Sequence, residues 1–435
     1  MLALYDWTTM APSARALLLA RPAAASDPAI EAAVAAIVAD VRARGDAALA
    51  ELGRRFDGVA PEPLAVGAAE FEAAEAALST EARAALERAI DNVRRFHAAQ
   101  AASPLAVEIS PGVRCERIEV PIRAVGLYVP AGSAPLPSTA IMTAVPAAIA
   151  GCPTRVLCTP PRRDGTADPA ILAVARRCGV GIVFKVGGAQ AIAALAYGTR
   201  AIPKVDKIFG PGNAYVAAAK QLVSRDPAGA ALDLPAGPSE VLVIADRSAR
   251  ASFVAADLLA QAEHDTAAQV LLVTPSRELA RAVAADVERQ LASLPRQAIA
   301  RGALSASRAI VVPDLETAFE VSNAYAPEHL ILAIEDARGW LKRVTAAGAV
   351  FLGHWSPETV GDYCSGANHV LPTNGFARTA SGLSLADFLK RISVQELSPE
   401  GLRALGPIAA TLARHEGLDG HARAVTLRLE ALAPT

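Results

Sequence analysis

From residue 120 onward, short apolar and β-branched runs alternate with longer stretches of helical spacing. Arg155-Val156-Leu157-Cys158-Thr159 reads as a strand, followed by a helix near Pro169–Arg177 and a second strand at Gly181–Val186. A helix at Ala191–Tyr197, a strand at Lys207–Phe209 and a helix from Asn213 extend the series. The rhythm then recurs: strand Val241–Ala245, helix Ser248–His264, strand Gln269–Val273 and a helix ending at Ala292. Strands at Ala309–Val312, Leu330–Ala333 and Ala349–Leu352 complete it. Strands alternating with helices predict parallel sheets. The two series divide near Pro235-Ala236-Gly237-Pro238, which predicts two α/β units. Residues 26–100 are instead rich in Ala, Glu and Arg at helical spacing, as in Ile30–Val34 and Ala82–Phe96, and predict several helices. Beyond Leu383 the tail reads as helical and polar, without strand rhythm: an arm lacking its own core.

A chain of 435 residues exceeds one ordinary core, and its 52% apolar and 20% charged residues are those of a globular protein. The formal net charge of −2 gives no reason to expect a nucleic-acid or anionic-membrane partner. Five cysteines (115, 152, 158, 178 and 364) form no CxxC pair, which suits a reducing compartment. The Ala16–Ala20 run lacks the basic start of a signal peptide. The apolar stretch Ala140–Cys152 is interrupted by Pro146 and is too short to span a membrane. The expectation is a soluble, cytoplasmic protein.

The chemistry concentrates in a few places. Gly210-Pro211-Gly212-Asn213 follows a strand and opens a helix, and Gly187-Gly188-Ala189-Gln190 does the same after the preceding strand. Such loops offer backbone N–H groups to an anion, although the full dinucleotide fingerprint is absent and each loop alone could be a tight turn. In Gln261-Ala262-Glu263-His264 two donors lie three positions apart, on one face of a helix, as half of a metal site or as a polar helix end. Asp362 and His421 are further possible ligands that spacing alone does not join to them. Glu328-His329 is either an acid–base couple or a polar surface dipeptide. Cys364 reads better as a small packed residue than as a nucleophile, and His97 and His354 read as structural.

Taken together, these segments closely resemble the histidinol dehydrogenase family over nearly the whole chain, least over the first hundred residues. The most specific stretches are Leu234–Glu240 through Asp257–Asp265, Ala326–Leu330, Gly361–His369 and the tail Glu416–His421, all in the family's order. The resemblance implies a zinc- and NAD-dependent oxidation of L-histidinol to L-histidine through histidinaldehyde. It implies Gln261, His264, Asp362 and His421 as zinc ligands and Glu328 and His329 as the catalytic pair. Ser239, His369 and Glu416, with His329 and the metal ligands, would touch substrate, and Tyr128, Gln190 and Asn213 would touch NAD. It further implies an intertwined homodimer of two Rossmann-like parallel-sheet domains, with the C-terminal arm completing the partner's site. On that basis residues 1–25 form an N-terminal arm, 26–125 with 237–383 the larger α/β domain, 126–236 the NAD-binding domain and 384–435 the C-terminal arm.

Two positions depart from the family pattern. Tyr128-Val129-Pro130-Ala131-Gly132 has Ala131 where glycine is usual, harmless if φ is negative there, and Ala260 stands where Ser or Cys is common. The alternatives are a related dehydrogenase of another polar alcohol or diol, a zinc hydrolase using Glu328 or Glu263 as base, and a non-catalytic relative. The Gly-rich loops favour an NAD enzyme over the hydrolase.

Overall fold

Ala3–Asp6 forms strand β1, and the next strands are the hairpin β2 (Leu105–Ser110) and β3 (Val113–Pro121). Strands β4 (Ala124–Tyr128), β5 (Thr154–Thr159), β6 (Ile182–Lys185), β7 (Lys207–Phe209) and β8 (Ala231–Leu232) alternate with helices throughout. A second series follows: β9 (Glu240–Ala245), β10 (Gln269–Thr274), β11 (Arg308–Val311), β12 (His329–Ala333) and β13 (Ala349–Leu352), with β14 (Leu389–Leu397) after it. This computed structural model describes residues 2–22, 28–131, 134–235 and 237–433, so Gly132 and Ala236 of the motifs above lie outside the described residues.

The chain divides into two compact units, one reaching to Gln100 and resuming over Ile122–Phe388, the other joining Ala101–Pro121 to the chain from Leu389 onward. The first unit holds two parallel sheets, of order β6-β5-β4-β7-β8 and β1-β11-β10-β9-β12-β13. Burial on both sheet faces explains the unbroken apolar runs. In β9, Val241 and Val243 enter one core while Leu242 and Ile244 enter the core on the opposite face. In β10, Val270 and Leu272 divide from Leu271 and Val273 in the same way.

The second unit is a three-stranded antiparallel sheet of order β14-β3-β2, followed by helices Pro399–His415 and Asp419–Ala431. Gly406 lets these two helices approach closely, because a Cβ there would press on Leu429 and Val425.

Three sequence expectations are corrected. The tail is not strandless, since β14 pairs with β3 over nine residue pairs. Its sequence Leu-Lys-Arg-Ile-Ser-Val-Gln-Glu-Leu is mostly exposed, so no apolar run marks it. The first residues are not simply an arm, because β1 forms the edge of the six-stranded sheet. Helices Pro28–Arg44, Asp46–Phe56, Ala68–Ala77 and Thr80–Ala98 share their cores with the five-stranded sheet, not with the six-stranded sheet with which residues 26–125 were grouped. Among the described residues no helix is long and apolar enough to cross a membrane.

Candidate active site

His329 is the first residue of β12 and lies beside Val241 of β9 and Ala349 of β13. Glu328 precedes it, and Glu240 opens the neighbouring β9. Helix Leu315–Tyr325 delivers the chain to this point through Ala326, a fully buried residue in the left-handed conformation at φ 55°. That conformation costs a non-glycine residue about 1–2 kcal/mol, so the surroundings must hold it.

Both His329 and Glu328 are buried, so the polar-surface reading of the pair is wrong. The backbone of Glu240 meets both of them. Its N–H donates to Glu328 Oε2 at 2.8 Å, and its carbonyl lies 3.1 Å from His329 Nδ1. In the neutral ring, an Nδ1–H donating to that carbonyl leaves the lone pair on Nε2. Nε2 lies 3.3 Å from Asp362 Oδ1 but out of hydrogen-bond alignment, and has no hydrogen-bond partner. Glu328 Oε2 and Glu358 Oε1 stand 3.5 and 3.9 Å from Nδ1.

Burial penalises the protonated His329 ring. The nearby Glu358 and Glu328 carboxylates, with Asp362, outweigh that and hold its pKa well above the ordinary value. Burial raises Glu328, against the opposing pull of His329 and the Glu240 N–H. Burial raises Glu358 well above the usual carboxyl range. Burial also acts to raise Asp362, but the imidazoles of His329, His369 and His264 outweigh it and leave its pKa lowered.

Gln261 occupies the last turn of helix Ala251–Ala262, which starts three residues later than the sequence predicts. Glu263 caps this helix in helical geometry, and the His264 N–H reaches back to the Gln261 carbonyl at 3.2 Å, so the turn carries one residue further. With its amide oriented to satisfy its neighbours, Gln261 donates to Glu358 and accepts from the Glu240 N–H at 3.1 Å. His264 is exposed. The protein packed around its ring lowers its pKa, against the opposing pull of Asp362. His369 also titrates below the ordinary value because of burial, and its Nδ1 lies 2.7 Å from the Asp362 carbonyl while Nε2 faces Thr139 Oγ1 at 3.2 Å. His329, Asp362 and His369 line a cavity of about 540 Å³, with Phe96, Trp355 and Asn368 among its other walls.

His329, Glu358 and Asp362 each place a ligand-type atom within 4.8 Å of the others. Of this trio only Asp362 belongs to the predicted ligand set. Glu358 stands four positions before Asp362 on helix Glu358–Tyr363, an i,i+4 spacing that the sequence analysis did not use. Ser239 is half-buried just before β9. Glu416 and His421 are exposed in the second unit, on the cap of helix Pro399–His415 and on helix Asp419–Ala431. Cys364 packs against the core as a partly buried side chain.

The predicted cofactor residues gather at the five-stranded sheet. Strand order reverses at β4, which has β5 on one side and β7 on the other. Ligands of parallel α/β sheets bind at the carboxyl ends of strands at such a reversal. Tyr128 ends β4, and its hydroxyl accepts from the Gly188 N–H at 3.0 Å, while burial pushes its pKa up to about 12. Gln190 is buried in helix Gly188–Tyr197, and Asn213 caps helix Ala214–Ser224 by accepting from the Val216 N–H at 3.1 Å. At Gly210, φ is 116° and a Cβ would drive into the Tyr128 carbonyl. Lys220 donates to the Gly210 carbonyl and Asp233 accepts from its N–H, each at 2.8 Å, which clamps the loop from below. The described non-glycine residues with positive φ are Ala326 and Asn374, so Ala131 adds its methyl without left-handed strain.

The chain matches the histidinol dehydrogenase family profile over residues 19–429. It is 56% identical over 424 residues to a histidinol dehydrogenase of Xanthomonas campestris pv. campestris, covering 98% of each chain. It is 54% identical over 426 residues to that of Vibrio parahaemolyticus, again covering 98% of each. The crystal structure of histidinol dehydrogenase from Elizabethkingia anophelis superposes with a TM-score of 0.95 at 44% identity, covering 99% of this chain and 98% of that one. The chain therefore belongs to the histidinol dehydrogenase family, oxidoreductases of histidine biosynthesis that act on a CH–OH group.

Proposed function

We propose that this chain oxidises L-histidinol to L-histidine in two NAD-dependent steps, with zinc bound at Gln261, His264, Asp362 and His421 and with histidinaldehyde held between the steps. The observation that carries the reading is the buried Glu328–His329 pair, tied to the Glu240 backbone and opening beside Asp362 onto a cavity. The donor set suits zinc, being imidazole, carboxylate and amide without thiolate. A lowered His264 pKa keeps that ring in the neutral form that a ligand requires. The buried, partnerless Nε2 of His329 and Oε2 of Glu358 mark a polar pocket built for more than packing. The glycine-lined reversal at β4 and β7, with Tyr128, Gln190 and Asn213 around it, supports the NAD site.

Bound zinc would supply a template that orients the substrate, and bound NAD an acceptor for hydride. His329, with Nδ1–H donated to the Glu240 carbonyl, takes the alcohol proton at Nε2 in the first oxidation. Glu328, whose burial raises its pKa and so its basicity, draws a proton from the water that adds to the aldehyde. Once His329 has returned the first proton to solvent, it takes a proton from the resulting diol in the second oxidation. Asp362 is one of the carboxylates that raise His329, and engaging it with a bound cation would weaken that pull and favour the neutral ring that a base needs.

Unit one carries Gln261, His264 and Asp362, whereas His421 and Glu416 stand exposed on a unit with a small sheet of its own. We infer that a second copy of the chain contributes these two residues, in a homodimer working in the cytoplasm. The direct test measures NADH formation by purified protein with histidinol, before and after exhaustive chelation. Activity is expected to vanish with the metal and return with zinc, whereas full activity without metal would remove the metal's role.

A further inference from the structure

Arg21 lies far from the catalytic pair in sequence, yet it reaches the residue that contacts both members. Its guanidinium makes a two-pronged ion pair with Glu240: Nε donates to Oε1, and Nη2 donates to Oε2 at 2.9 Å. The same group stacks over the Tyr325 ring at 3.9 Å, and Nη2 also donates to the carbonyls of Tyr325 at 2.9 Å and Ala326 at 3.4 Å. Those carbonyls end helix Leu315–Tyr325, where a cation is favoured by the helix dipole. They also frame the left-handed Ala326, two residues before Glu328. On the other side of Glu240, the Asn374 N–H donates to Oε1 at 2.9 Å. One planar cation thus grips the two backbone segments that place Glu328 and His329. Both charged side chains are nearly buried, at 10% and 3% exposure, so water cannot replace either partner.

We propose that Arg21 is a positioning residue for the reaction. Held through Glu240 and the Tyr325–Ala326 carbonyls, the Glu328 carboxylate and the His329 ring keep the placement and tautomer that proton transfer needs. Arg21 touches no reacting atom. The inference rests on the functional reading above, because it assigns Arg21 to the chemistry of Glu328 and His329.

A displaced base loses rate more than binding, and a small misplacement costs about ten- to a hundredfold. Arg21→Met is therefore expected to lower kcat by about that factor, with KM for histidinol within about threefold and zinc content unchanged. Arg21→Lys, which keeps the charge but lacks the planar fork, should recover only part of the rate. Glu240→Gln should resemble Arg21→Met, and the double variant should be no slower than the slower single one, since both act through one contact. Arg177→Met is the control for lost stability, because it breaks an Arg177–Glu75 pair elsewhere in the same unit. It should keep its kcat per folded enzyme.

All rates are to be normalised to folded protein below the first melting transition. Wild-type kcat in Arg21→Met, an equal loss in Arg177→Met, or additive losses in the double variant would overturn the positioning role. A wild-type protein that reduces no NAD with histidinol would instead overturn the functional reading.

Discussion

Glu328 and His329 are adjacent in sequence, yet they sit in different environments, which suit the two roles proposed for them. Glu328 is a buried carboxyl raised by desolvation, and His329 has one nitrogen committed to a backbone carbonyl and the other free. Glu328→Gln should slow oxidation of supplied histidinaldehyde by about 10²–10⁴-fold, the usual contribution of a general base. A wild-type rate with histidinaldehyde would count against its water-activating role. A base must be ionised, so the wild-type rate with histidinaldehyde should fall as pH falls through the raised Glu328 pKa. That inflection should lie above the ordinary carboxylate range and be missing from the Gln variant. The pair itself was legible as a candidate in the sequence, because Glu328 and His329 stand in a motif and are neighbours. Glu358, Glu240 and Arg21 were not assigned. Glu358 acts through burial, Glu240 meets the catalytic pair through its backbone, and Arg21 meets Glu240 across 219 positions of sequence.

At the scale of elements, apolar runs located most of the strands buried on both faces, since such strands admit few polar residues, but the central β4 (Ala124–Tyr128) was missed. Strands β1 and β14 escaped because an edge strand needs no apolar run. The Gln261–His264 spacing was read as one face of a continuous helix, whereas the helix ends at Ala262 and His264 follows in a turn. Loop chemistry was legible in the glycines. Gly210 sits at φ 116° against the Tyr128 carbonyl, and no side chain fits there. Gly210→Ala should cost about 1–3 kcal/mol in backbone strain before any clash, lower the melting temperature and weaken NADH binding. A titration of NADH fluorescence beside a thermal melt would check this. Unchanged affinity would detach that loop from the cofactor site.

For the whole molecule, the sequence separated the tail from the cores but could not say what the tail forms. The tail folds with the hairpin of β2 and β3 because its strand completes their small sheet. If this unit serves a partner's site, two inactive variants should complement each other. Mixing His421→Ala with His329→Ala under conditions of subunit exchange should restore about a quarter of wild-type activity, since half the dimers would each hold one intact site. No recovery despite demonstrated exchange would place His421 in its own chain's site or outside the chemistry. The central claim is that one site carries out both oxidations on the same substrate. The most direct measurement is therefore the amount of NADH formed per histidinol consumed, with histidine identified as product by mass. Two NADH for each histidinol, with no free aldehyde accumulating, is the predicted result; one NADH with released histidinaldehyde, or none, would contradict it.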